Sequence, residues 1–272
     1  MRNISKTKLI VLTFAGITCL KLQEAYPSAT ILKCSGDIPK GAPCLIKASS
    51  YKVKVSKIDI CKNNPFPKLR STPDYAGSYC LNLFDRKNNS KNINILNNLI
   101  FNLPNNVYGS GEFKYISVLF RNEFTISGKY KSGNNTWLTN RKGPNKLTKS
   151  SNNYGSPKKF TERLTNWRGV QDRDNKYCDN NGGTYSRCDL NYNGNKLTAI
   201  GLDKDLVESY GNQVKYVFYN LELSPPLKIN DNESGNVEIN FERNLEVFGN
   251  GQEVQSISTA PIIFKVIMKK GL

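Results

Sequence analysis

The chain of 272 residues contains no histidine, and only two methionines and two tryptophans. Without histidine there is no Ser-His-Asp or Cys-His nucleophile system and no imidazole ligand for a metal. No GxSxG, glycine-rich phosphate loop or HExxH occurs, and no CxxC spacing that would suit zinc. A Ser49-x-x-Lys52 match stands without the companion motifs of serine acyl-enzymes. Acids are scarce too: 22 Asp and Glu face 39 Lys and Arg, a formal charge of +17. Chemistry that needs only two carboxylates, such as glycoside hydrolysis, is left open by composition. No arrangement of the acids recommends it, and the chain is expected to be non-catalytic.

Long apolar runs are missing as well. The run from Leu9 to Leu20 covers twelve residues, too few to cross a bilayer as a helix. Arg2, Lys6 and Lys8 precede it and a polar stretch from Lys21 to Ala29 follows, the layout of a secretory signal peptide over residues 1–29. Cleavage is expected after Ala25 or Ala29. The alternative is a lipid anchor on Cys19, although Gly16-Ile17-Thr18 before it departs from the usual lipobox. Loss of the leader removes four bases and one acid, so the exported chain stays strongly basic. Six cysteines then remain, an even number that favours disulfides in an exported chain. Sequence-local pairing is expected, Cys34–Cys44, Cys61–Cys80 and Cys178–Cys188, because each pair brackets a turn-rich loop.

What the chain does hold is a succession of strand signals. Within Ser50–Cys61, Tyr51, Val53 and Val55 alternate, and Ile58 and Ile60 follow one step out of phase. That pattern predicts a half-buried strand with a β-bulge near Ser56-Lys57. From Lys114 to Tyr130, Ile116, Val118, Phe120, Phe124 and Ile126 share one face, and Tyr115, Leu119 and Thr125 the other. Apolar residues on both faces predict a central strand in a sheet packed on two sides. Residues 86–111 fit a short helix or two strands, of which strands are expected.

Further strands are expected over 196–202, 214–223, 237–241, 245–248, 254–257 and 262–268. An Asn250-Gly251 hairpin turn and a short helix over 203–211, capped by Asp203 and ended by Gly211, are expected between them. The segment 131–195 is expected to be a loop-rich insertion. Many short strands separated by Asn, Gly and Pro turns predict an all-β fold. The expectation for residues 30–272 is a secreted β-sandwich with long loops and about three disulfides.

Two patterns suggest ligands. Asp189, Asn191, Asn193 and Gly194 supply the first half of a calcium loop, but Ile200 stands where the bidentate carboxylate belongs. A hairpin joining Leu190–Tyr192 to Leu197–Ile200 through an Asn193-Gly194 turn is the stronger reading. Asp172, Asp174 and Asp179 nearby match no defined loop, so no cofactor is expected. Arg141 to Lys176, by contrast, carries ten bases against three acids, interleaved with Tyr154, Phe160 and Trp167. Bases meet anionic groups and aromatic faces stack on sugars or nucleobases. Within the basic-aromatic segment 141–177, Lys158, Lys159, Arg163, Trp167, Arg168 and Arg173 are therefore the candidate contacts for a polyanion. Nucleic acid is disfavoured because the chain is addressed for export.

The strand Tyr51–Cys61, the loop to Cys80, the strand Tyr115–Ile126 ahead of a Gly/Thr/Trp segment, and the terminal Pro261-Ile-Ile-Phe-Lys-Val266 together resemble a known group. They are similar to the secreted β-rich surface proteins of AT-rich marine bacteria, of the picocyanobacterial and SAR11 type. The resemblance covers part of the chain and lies in strands and cysteines. It implies an exported or cell-surface protein and no known activity. The function expected is structural, a subunit of a surface layer or filament that self-associates through its apolar terminal strand. The alternative is a binding module for acidic polysaccharide.

Overall fold

The structure, a computed structural model, describes residues 33–40, 43–68, 71–85, 91–94, 98–103, 110–151, 155–165, 178–181, 184–192, 195–230, 235–260 and 262–270. The leader with Cys19, and Trp167, Arg168, Arg173 and Asn193 of the candidate sites, lie outside the described residues.

The strands, in chain order, begin with β1 (Cys44–Lys47), β2 (Ser50–Cys61), β3 (Cys80–Asp85), β4 (Lys91–Asn94) and β5 (Leu99–Asn102). Next come β6 (Gly111–Ser127), β7 (Lys129–Ser132), β8 (Asn135–Asn140), β9 (Gly143–Ser150), β10 (Phe160–Glu162), β11 (Cys178–Asn181) and β12 (Thr184–Tyr192). Then follow β13 (Asn195–Leu202), β14 (Tyr216–Ile229), β15 (Gly235–Glu242), β16 (Asn244–Asn250), β17 (Glu253–Thr259) and β18 (Ile263–Lys270). The helical content of the described residues is one 3-10 turn, Gly211–Gln213, and none of their helices is long and apolar enough to cross a membrane. The fold is all-β.

A nine-stranded antiparallel sheet runs β11-β12-β13-β14-β6-β2-β3, with β4 beside the start of β2 and β10 beside the end of β6. Three smaller sheets surround it: β1-β16-β17, β18-β15-β5 and the meander β7-β8-β9. The long strand β6 is central, as its two-sided apolar pattern predicts. Ile116, Val118, Phe120, Phe124 and Ile126 are fully buried on one face and belong to the main core. Leu119 points the other way, into a second cluster with Phe66, Ile200, Leu202 and Phe218. Phe120 meets Phe241 of β15 at 6.3 Å, Phe241 meets Phe264 of β18 at 5.7 Å, and Phe84 of β3 meets Phe101 of β5 at 6.2 Å. These aromatic contacts pack the β18-β15-β5 sheet onto the large one, which gives the sandwich.

The second cluster needs a cover, and the Cys61–Cys80 loop supplies it. Phe66 from that loop is completely buried against Phe218. Asn64 Oδ1 accepts from the Phe66 N–H at 2.9 Å and from Asn220 Nδ2 at 3.1 Å, so the loop is fixed by its own turn and by β14. The buried Asp59 accepts from Lys57 Nζ at 2.7 Å and Asn82 Nδ2 at 2.9 Å, and Lys57 also lies 3.4 Å from the Tyr75 ring centroid. Each of those charged groups is therefore partnered before it is desolvated.

Disulfides join Cys34 to Cys44 and Cys61 to Cys80, as local pairing predicts. Cys188 is disulfide-bonded too, and Cys178 lies directly opposite it in the β11-β12 register. The bulge expected near Ser56 is present: the β2-β6 register shifts between Val55 and Lys57. Residues 91–94 and 99–102 are strands, as expected.

Three local expectations fail. No helix forms over 203–211. Asp203 Oδ1 accepts from the N–H groups of Asp205 (2.8 Å) and Val207 (3.0 Å), and Leu206 adopts a φ of +63°, so the aspartate closes a turn where a helix N-cap was expected. The hairpin before β17 turns one residue later than expected, because Asn250 pairs with Glu253 and Gly251 takes the positive φ. Finally, the described residues of segment 131–195 are strand-rich where loop was expected, holding β8 to β12 and half of β7. Its strands are built from Lys, Thr and Asn with few large apolar residues, so alternation is faint.

Asn122 decides how β6 is used. Up to Arg121, β6 pairs with β14; from Phe124 it pairs with β10. At the handover the buried Asn122 donates to Leu164 O (2.8 Å) and Val214 O (3.1 Å) and accepts from the Leu164 N–H at 2.8 Å. Asn122→Ala leaves those backbone groups without their partner, and each unsatisfied buried group costs about 1–3 kcal/mol. Chemical denaturation is expected to show a loss of roughly 2–4 kcal/mol. A loss below about 1 kcal/mol would mean that water substitutes for the amide.

Candidate functional site

Strand β18 pairs with β15 through its whole length, Ile263 with Glu242 to Lys270 with Gly235. On its other side it has no strand partner among the described residues. The neighbouring chain there is β14, which loses register with β6 between Glu222 and Leu227. Pro225 and Pro226 lie in that interval, and proline has no N–H to offer an adjacent strand. A groove of about 530 Å³ results, lined by Leu221, Leu223, Pro226, Phe264, Val266 and Ile267 among others. Ile267 is 44% exposed. Lys265 is exposed as well, while Lys269 is held by Glu238 at 2.6 Å. The site is an open sheet edge beside an apolar groove, with lysines along the strand that discourage indiscriminate edge pairing.

The predicted polyanion contacts fall on a different part of the molecule. Lys158 and Lys159 are exposed on a strap that precedes β10. The strap is tied to β8: the Lys158 N–H donates to Thr139 O and Thr139 Oγ1 donates to Lys158 O, both at 2.8 Å. Arg163 stands apart, donating to Glu123 Oε1 at 3.1 Å, while Lys54 holds Oε2 of the same carboxylate at 2.9 Å. That carboxyl is kept below its usual range by Lys54 and Arg163 together. The structure thus places Lys158 and Lys159 on the meander and commits Arg163 to an ion-pair network.

Of the aromatics expected as stacking faces only Phe160 is described, and Tyr154 and Trp167 lie outside the described residues. Phe160 is buried, and Trp137, which the sequence pattern did not single out, is buried with the Lys149 ammonium 5.0 Å from its ring centroid. Asp189 and Asn191 lie in β12, which pairs with β13 from Arg187–Ile200 to Tyr192–Asn195, a two-residue hairpin. Thr198 Oγ1 donates to Asp189 Oδ1 across that hairpin. No group of three or more His, Cys, Asp or Glu able to hold a metal occurs among the described residues.

A pair of acids that sequence reasoning missed lies where β10 meets the β1-β16-β17 sheet. Glu162 Oε2 accepts from the Thr259 N–H at 2.8 Å and from Thr259 Oγ1 at 2.9 Å, latching the two sheets. Burial pushes the Glu162 carboxyl up, partly offset by those two bonds. Glu246, on the neighbouring strand β16, is pushed up to about 8, by burial first and by the charge of Glu162 second. Acids far apart in sequence give no pattern for this.

No protein-family model, curated protein or solved structure matches the chain.

Glu246 carries a pH prediction. Its carboxyl binds a proton more tightly folded than unfolded, where the pKa is about 4.3. The folded state therefore holds the extra proton between about pH 4.3 and 8, and stability falls as pH rises through that window. Denaturation midpoints recorded from pH 5 to 8 are expected to decline, and Glu246→Gln is expected to flatten the decline. An unchanged slope in that variant would assign the effect to other groups.

Proposed function

We propose that the protein is an exported, non-catalytic surface component that associates with further copies of itself by strand addition at β18. The observation that carries this reading is the β18 edge: unpaired by any strand on one side among the described residues, beside an apolar groove, with Ile267 exposed. In β-addition the main-chain groups of an edge strand pair with an incoming extended segment, and adjacent pockets take alternate side chains. The groove offers such a pocket row. The prolines of β14 keep the protein's own chain from closing the edge.

A second copy as occupant suits the composition of β18. In an antiparallel β18–β18 pair centred on Val266, Phe264 faces Met268 and Lys265 faces Ile267, so no lysine faces a lysine. The disulfides support an oxidising compartment. The leader-like residues 1–29 support export. The absence of histidine supports a role without nucleophilic catalysis.

Sedimentation velocity over a concentration series tests the reading. The mature protein is expected to form dimers or larger species that persist in high salt, because edge pairing and apolar burial are little screened. Ile267→Lys is expected to return it to monomers with an unchanged circular-dichroism spectrum, since that side chain is exposed. A wild-type protein that stays monomeric up to its solubility limit would overturn the assembly reading.

A further inference from the structure

From Phe124 to Thr161 the sequence contains no Asp or Glu, and it carries eight bases: Lys129, Lys131, Arg141, Lys142, Lys146, Lys149, Lys158 and Lys159. Within it the structure brings together the β7-β8-β9 meander and the strap 155–159, which is fastened to Thr139. All eight bases are exposed. Lys149 is paired with Glu253 of β17 at 3.1 Å, which helps to dock the meander on the β1-β16-β17 sheet. Among the described residues, the other seven have no acidic partner. Elsewhere Lys54, Lys57, Arg163, Lys204, Lys228 and Lys269 each meet a carboxylate within 3.1 Å.

The register shows how several of these charges are arranged. Cross-strand partners share a face, so Lys129 lies beside Leu138 and Thr148, and Lys131 beside Thr136 and Ser150. Alternate residues on a strand are about 6.7 Å apart and neighbouring strands about 4.8 Å apart. Lys129 and Lys131 thus stand side by side on a face whose other members are the buried Leu138 and Thr136 and, beyond them, Thr148 and Ser150. Arg141 and Lys142 form the turn between β8 and β9, and Gly155 carries the strap across Leu138, where a Cβ would approach Leu138 Cδ1 to 2.8 Å. Charges of one sign held this close repel one another, and a polymer of the opposite sign relieves the repulsion while releasing its counterions.

We infer that this meander is a docking face for an acidic polysaccharide, recognised by charge and by hydroxyl and amide groups, with no aromatic stacking. The two aromatic side chains of the meander, Tyr130 and Trp137, are both buried, so its described residues offer no flat ring on which a base would stack. Asn145 and Thr148 are exposed between the lysines and suit sugar hydroxyls. This surface is separate from β18, and its use does not depend on self-association.

The test uses the mature protein and a quadruple variant, Lys129→Gln, Lys131→Gln, Lys146→Gln and Lys158→Gln. A control of equal charge change carries Lys68→Gln, Lys114→Gln, Lys196→Gln and Lys215→Gln, all away from the meander. Binding to heparin, to a polyuronate, to neutral dextran and to a single-stranded oligothymidylate is measured by titration over a salt series. The expected result is salt-sensitive binding to heparin and polyuronate but not dextran, weakened roughly tenfold or more in the meander variant, with a shallower salt slope. The control is expected to lose less than about threefold. Equal losses in both variants would overturn the inference, because they would mean attraction to net charge alone. Tighter binding to the oligonucleotide than to either glycan would also overturn it and reassign the face to nucleic acid.

Discussion

The amide of Asn122 bonds to backbone on both sides of the point where β6 exchanges one neighbour for another, and the architecture follows from that exchange. Below it β14 runs beside β6 and extends the large sheet toward β13, β12 and β11. Above it β14 has not yet begun, β10 takes its place, and Glu162 at the end of β10 reaches Thr259 of the β1-β16-β17 sheet. A strand of seventeen residues paired on both edges has little backbone left to solvate. Its two faces feed two separate apolar clusters, so its position is fixed in every direction.

Both proposed contact surfaces arise where this frame stops. The groove at β18 exists because β14 loses its register with β6 between Glu222 and Leu227 and presents prolines. The basic meander begins where β6 ends, passing through Gly128, whose Cβ would come within 2.4 Å of Leu245 Cδ1. A larger residue there would force the buried Leu245 to shift. The two surfaces differ in physics. One rests on main-chain pairing and apolar area, the other on unneutralised charge, so raising the salt separates them.

Strong patterns of large side chains made the frame legible. The two-sided run from Ile116 to Ile126, the phase slip at Ser56 and the local cysteine pairs each describe a short-range constraint that survives folding. Weak signals hid the rest. In β7 to β9 the buried positions are filled by Ser132, Thr136 and Thr139 as well as by Trp137 and Leu138, so a strand there looks like loop. The stretch after Asp203 has the letters of a helix start, but the same side chain satisfies a turn equally well. The basic segment was visible in the sequence as charge. That its described aromatic rings turn inward was not, because burial of Phe160 and Trp137 depends on sheets distant in sequence. The Glu162–Thr259 latch and its coupling to Glu246 are likewise products of tertiary placement.

Native-state hydrogen exchange, read residue by residue, tests most directly whether a rigid β2-β6-β14 frame carries two peripheral surfaces. Amides of β6 from Ile116 to Ile126 are expected to exchange only through global unfolding, and those of β18 and the meander through smaller openings at lower free energy. The account would be contradicted if β6 exchanged as readily as β18, or if the meander proved to be the most protected part of the molecule.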